Sequence, residues 1–128
     1  MMRYDVQQRM EGPVTIAHRT GEEWQTTTYP RCAWQAVPTR AVDADGTVVR
    51  EDVLRVQVPE DVGEVQVVLG DYLIPGELEY SGPLRGLVAL LPEGARRVSL
   101  VRDLRGGLQG VRGPLARWAS VLVLEGSR

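Results

Sequence analysis

The stretch Leu54-Arg55-Val56-Gln57-Val58-Pro59 alternates apolar and polar side chains without a break. A period of two is the signature of a strand with one buried and one solvated face, and a helix cannot satisfy it. This strand is the return half of a long hairpin. Residues 32–42 lead out, Asp43-Ala44-Asp45-Gly46 supplies turn chemistry with Gly46 free to take a positive φ, and residues 47–58 come back. Pro59 ends the run.

The rest of the chain follows the same grammar of short runs rich in Val, Leu, Thr and Trp, broken by Gly and Pro. Val14-Thr15-Ile16-Ala17-His18 reads as a strand, Thr20-Gly21-Glu22-Glu23 as a turn and residues 24–29 as its partner. Residues 65–69 and 72–74 are two further strands separated by Gly70-Asp71. Leu84, Leu87, Val88 and Leu91 fall at helical spacing, which predicts one short helix between Ser81-Gly82-Pro83 and Pro92, with Gly86 weakening it. Residues 97–104 and 117–124 are the closing strands, the second apolar enough to be central. Residues 1–12 are polar and read as an arm, a short helix or a frayed end, and residues 105–114 read as a mobile glycine-rich loop. The expectation is a single domain over residues 1–128, mainly β: a small β-barrel or sandwich of about seven short antiparallel strands with one short helix.

Composition narrows the class. With 128 residues and 43% hydrophobic side chains, the chain can bury a core without disulfides or metals. Its one cysteine, Cys32, cannot form an internal disulfide and sits in a context that reads as a buried strand. A net charge of −2 offers no global attraction to nucleic acid or anionic membrane. All fifteen basic residues are arginine, a bias that GC-rich coding explains as well as any interface. Residues 1–8 lack the apolar core of a signal peptide, and no apolar run is long enough to span a bilayer. The expectation is a protein made in the cytoplasm.

A search for chemistry yields little. His18 is the only histidine, and Glu22 and Glu23 are the carboxylates near it in sequence. Nucleophilic catalysis needs a nucleophile beside a base and a group orienting that base, which this pattern does not supply. One Cys and one His cannot provide the three or four ligands of a zinc site. The 105–114 loop lacks the Gly-Lys-Ser/Thr ending of a phosphate loop, and Asp43, Asp45, Glu51 and Asp52 do not follow calcium-loop spacing. No catalytic residue, cofactor or metal is expected, and the chain reads as a non-enzyme.

Charge, by contrast, is segregated along the chain. Residues 43–79 carry ten acidic side chains, among them Asp43, Asp45, Glu51 and Asp52, against Arg50 and Arg55, for a net of −8. Residues 94–118 carry Arg96, Arg97, Arg102, Arg105, Arg112 and Arg117 against Asp103, for a net of +5. If the two regions face opposite ways, identical subunits can meet acidic patch to basic patch, head to tail, and close into a ring. Strands carrying charge on solvated faces give the same count without any interface. Contact between the arginine-rich loop and DNA is a further option, although that loop lacks the interleaved aromatics of single-strand binders.

Order and spacing of several pieces resemble one family. The pieces are Val14-Thr15-Ile16-Ala17-His18-Arg19, Arg31-Cys32-Ala33-Trp34, Asp52-Val53-Leu54-Arg55-Val56-Gln57-Val58-Pro59 and Gly70-Asp71-Tyr72-Leu73-Ile74-Pro75-Gly76-Glu77. Val98-Ser99-Leu100-Val101-Arg102-Asp103-Leu104-Arg105-Gly106 and a last segment opened by Arg117-Trp118 complete the series. From about residue 14 onward this plan resembles the small head–tail joining, or neck and head-completion, proteins of tailed bacteriophages and prophages. It departs from them in a longer glycine-rich loop at 106–114 and in having no lysine.

The resemblance implies a non-enzymatic connector, a small β-barrel that forms a ring under the portal and helps retain packaged DNA. Its implied partners are portal or adaptor and tail-completion proteins, with DNA nearby and no membrane. Its implied location is the virion neck after assembly. The alternative, from the residues alone, is a stand-alone β-barrel module that binds nucleic acid or a peptide.

Overall fold

The structure is a computed structural model that describes residues 9–42, 44–105, 118 and 121–127, with side chains excepted at 39–42 and 48–51. Its strands are β1 (Met10–Thr20), β2 (Glu23–Val42), β3 (Val48–Pro59), β4 (Tyr72–Pro75), β5 (Ser81–Gly82), β6 (Arg96–Asp103) and β7 (Val121–Ser127). One helix, α1 (Leu84–Leu90), and one 3-10 turn (Glu60–Val62) complete the described elements. All strand pairs are antiparallel, in the order β1-β4-β6-β7-β3-β2. Because β2 also pairs with β1, the sheet closes into a six-stranded barrel, and β5 adds a seventh strand to β2. Closure removes the edges that an open sheet of this size would expose.

Alternation of side chains builds two cores, one inside the barrel and one outside it. Val14 and Ile16 of β1, Leu54, Val56 and Val58 of β3, Leu73 of β4, Val98 of β6, and Leu122 and Leu124 of β7 fill the interior together with Tyr29 and Cys32. The intervening residues Ala17 and Ile74 point out, where Trp24 and Leu87 of α1 join them in a second cluster. Leu87 is the buried face of the helix, while Leu84 and Val88 are exposed. The helical stripe therefore splits, with Leu87 and the half-buried Leu91 serving the core and the other two facing solvent.

Gly86 has a steric reason to be in this helix. A Cβ there would collide with the Tyr80 hydroxyl, which donates to Pro83 O at 2.7 Å. The segment leading into α1 is pinned to the barrel by threonines. Thr15, with no exposed surface, donates from Oγ1 to Gly76 O (2.8 Å) and accepts from Leu78 N–H (3.1 Å), and its Oγ1 lies 2.9 Å from that of Thr28. Thr26 Oγ1 accepts from Tyr80 N–H at 2.9 Å.

Three expectations need correction. The strands at 24–29 and 32–42 are one element, β2, so the two hairpins share it. What joins them is a bulge: Gly12 pairs with Cys32 and Val14 with Tyr29, so Pro30 and Arg31 stand opposite Pro13 alone. Arg31 takes a left-handed conformation there (φ 56°), and the extra residue bends the strand as barrel closure requires.

Residues 65–69 are not a strand but an irregular segment across one end of the barrel. Val65 and Val67 of it and Val62 of the preceding 3-10 turn pack into the interior core, and so residues 62–69 together form a plug. The expected polar arm is shorter, because β1 already begins at Met10. The glycine-rich 106–114 stretch and the start of the last strand lie outside the described residues, and β7 is described from Val121. No helix among the described residues is long and apolar enough to cross a membrane.

Candidate functional site

Two regions carry features that the packing of a barrel does not require. The first is the β2–β3 hairpin. Its strands pair from Ala33–Gln57 out to Val42–Val48. The last neighbour of β2 in β1 is Met10, opposite Trp34, and β7 ends its pairing with β3 at Gly126, opposite Leu54. Beyond those points, residues 37–42 and 48–53 pair only with each other among the described residues, while Gln35 and Ala36 face Arg55 and Leu54, which β7 still covers. Six paired residues on each strand correspond to roughly 20 Å of two-stranded ribbon leaving the barrel wall.

A depression of about 390 Å³ lies in the angle between this arm and the barrel shoulder. Trp34, Ala36, Val53, Leu54 and Pro75 form its apolar walls, and Asp52, Glu93, Gly94 and Arg96 complete it. On the opposite end of the barrel, the plug leads into a turn with Asp71 N–H donating to Val68 O (3.2 Å) and Gly70 at φ +93°.

Asp71 is buried and organises this turn. Its Oδ2 accepts from Val68 N–H at 3.0 Å and lies 2.9 Å from His18 Nδ1. Its backbone carbonyl accepts from Val98 N–H (2.7 Å), and Gly70 N–H donates to Val98 O (2.9 Å). Arg97 closes the turn from outside, donating from Nη2 to Gly70 O at 3.1 Å with its guanidinium 5.2 Å from the Tyr72 ring centroid. The partner of His18 is therefore Asp71 rather than Glu22 or Glu23, both of which are exposed in the β1–β2 turn. The register of β1 against β4 brings them together: Ala17 lies opposite Tyr72, and His18 and Asp71 are the next residues outward on each side. Asp71 is the sole side-chain hydrogen-bond partner of His18 among the described residues.

The charged candidates separate by position. Asp52 is exposed on the arm and Asp45 in its turn; the Glu51 backbone pairs with Thr39, and Asp43 lies outside the described residues. The described arginines of the basic group sit on or just past β6. Arg96 turns toward the arm-base depression, its Nη1 donating to Glu93 O and Ala95 O, both at 2.9 Å. Arg97 reaches the Asp71 turn, and Arg102 is exposed opposite Val123.

Arg105 bonds the Asp103 carboxylate through Nε (3.1 Å) and Nη2 (3.2 Å) and clamps the plug through Nη1 to Gly63 O (2.8 Å). This pairing holds the Asp103 carboxyl below its ordinary range and raises the Arg105 guanidinium. Arg112 and Arg117 lie outside the described residues. The basic group is thus spread over both ends of the barrel, and Arg105 has its own carboxylate.

Sequence reasoning missed the His18–Asp71 contact and a basic, aromatic surface. A second depression, of about 250 Å³, is lined by Arg9, Ala33, Trp34, Gln35, Arg55 and Gln57. The Arg9 guanidinium lies 4.2 Å from the Trp118 ring centroid, and Arg55 pairs with Glu125 at 3.2 Å. No periodicity could have announced it, since its parts come from both termini and two central strands. Among the described residues, no group of three His, Cys, Asp or Glu side chains is placed to hold a metal ion. The chain matches no family model, no curated protein and no solved structure.

Proposed function

We propose that this chain is a non-enzymatic assembly protein, a subunit of the connector that joins portal to tail in a tailed bacteriophage or prophage. The observation that carries this reading is the two-stranded arm. Its outer edges, at residues 35–42 and 48–53, have no further strand neighbour among the described residues. Unpaired strand edges are a liability in a free monomer and an asset where another chain completes the sheet. A barrel that needs only β1, β4, β6, β7 and the barrel halves of β2 and β3 to close has no structural use for such an arm. The sequence plan, resembling head-completion proteins from about residue 14 onward, points the same way. The immediate test is the DNA flanking the gene. Portal, capsid and tail genes in one co-directional run support the reading, and metabolic or regulatory neighbours on both sides overturn it.

A second reading is favoured by the surface around Arg9, Trp34, Arg55 and Trp118. Arginines beside aromatic rings and side-chain amides are the groups that hold single-stranded nucleic acid, which would make the barrel a stand-alone binding module. Fluorescence anisotropy with single-stranded DNA decides it. Binding that weakens steeply with salt supports this module, and a flat titration at low salt removes it.

A further inference from the structure

The Val68–Asp71 turn is built with unusual rigidity for what it displays. Its carboxylate is buried, its backbone is tied to Val98 in both directions, and Arg97 braces it from outside. At its tip Leu69 is 66% exposed and Val68 54% exposed. A single exposed leucine is ordinary. An apolar pair held on a preorganised turn is the form of an interface anchor, because the ordering cost of binding is already met.

The arm-base depression is its complement. Apolar walls from Trp34, Ala36, Val53 and Pro75 are rimmed by Asp52 and Glu93. Neither carboxylate is in an ion pair among the described residues, and Arg96 in the same depression is engaged by backbone carbonyls. The turn brings apolar side chains flanked by an exposed cation, Arg97; the depression offers the side chains of Trp34, Ala36, Val53 and Pro75 within a largely polar lining that holds two carboxylates and Arg96. Turn and depression lie at the two ends of β4, since Asp71 precedes Tyr72 and Pro75 closes the strand. They cannot meet within one copy.

We propose that the Leu69 turn of one copy seats in the arm-base depression of a second copy, with Arg97 of the first facing Asp52 and Glu93 of the second. Each copy would then use one surface to give and another to receive, and such heterologous contacts propagate into a ring when the rotation closes. The choice of a second copy rests on the assembly reading above and on this charge complementarity.

The test is cross-linking between two single-cysteine variants, Leu69→Cys and Ala36→Cys, mixed at high protein concentration under mild oxidation; Cys32 is fully buried. Disulfide-linked heterodimer well above a control mixture of Val88→Cys with Ala36→Cys is the expected result. Product no greater than the control overturns the contact. In sedimentation velocity, Leu69→Asp should weaken self-association at least tenfold with unchanged circular dichroism. Arg97→Glu should do the same and be rescued by Asp52→Arg/Glu93→Arg. Association unaffected by Leu69→Asp also overturns the proposal. Rings that form without the cross-link refute this contact alone, whereas the connector reading stands or falls separately on the flanking genes.

Discussion

Thr15 and Asp71 are the two buried polar residues of the described chain, and each is the hub of its neighbourhood. The Thr15 hydroxyl ties the strand to both Gly76 and Leu78. Thr15→Val keeps the shape but strands a carbonyl and an N–H under the loop, so it should cost about 1–3 kcal/mol in urea denaturation. Asp71 holds the turn through Val68 N–H and the imidazole, whereas His18 has solvent as an alternative partner. Asp71→Ala should therefore cost more than His18→Ala, again about 1–3 kcal/mol for the buried group; the reverse order would contradict the hub assignment. At this scale the sequence was partly legible. The Gly70-Asp71 pair announced a turn and the context of Cys32 announced burial, but which carboxylate meets His18 depends on two strands pairing across a gap of 53 residues.

Among the elements, those with clean alternation read directly from the residues. The Leu54, Val56 and Val58 face of β3 and the apolar run of β7 are buried as their patterns demand. The exceptions have physical causes. Residues 65–69 have β-formers but no strand to pair with; hydrogen bonds link Gly70 to Val98, and valines drop into the barrel end. The expected stripe is helical, but only Leu87 is buried and Leu91 half-buried against the second core, while Leu84 and Val88 face solvent. Gly86 gives a test at this scale. Helix propensity alone predicts a gain of up to about 1 kcal/mol for Gly86→Ala. The Tyr80 hydroxyl occupies the space that the methyl would need, so thermal denaturation should show a loss of about 1–3 kcal/mol instead.

Closure of the whole molecule rests on strand pairing and on the plug that seals one end. Asp103 and Arg105 clamp that plug through Gly63. Asp103 has its folded pKa depressed, so its contribution is present above the unfolded value, about 3.9, and is lost as pH falls through the folded value. The difference in urea midpoint between the protein and its Asp103→Asn variant should be present at neutral pH and close in acid; a difference that grows in acid would contradict the clamp. The arm makes the opposite case, because it takes no part in closure. Replacing residues 38–52 with a two-residue Asn-Gly turn should leave a cooperatively folded barrel. The sequence announced this hairpin and its turn but not that it leaves the barrel, since projection is set by where β1 and β7 stop pairing.

The central claim is that the barrel and its arm serve assembly between head and tail. Deleting the gene from the phage or prophage genome in which the proposal places it, and imaging the particles by electron microscopy, tests this most directly. DNA-filled or leaking heads accumulating beside free tails, restored to joined particles by the intact gene but not by the armless version, is the result expected. Normal, infectious particles from the deletion strain would contradict it.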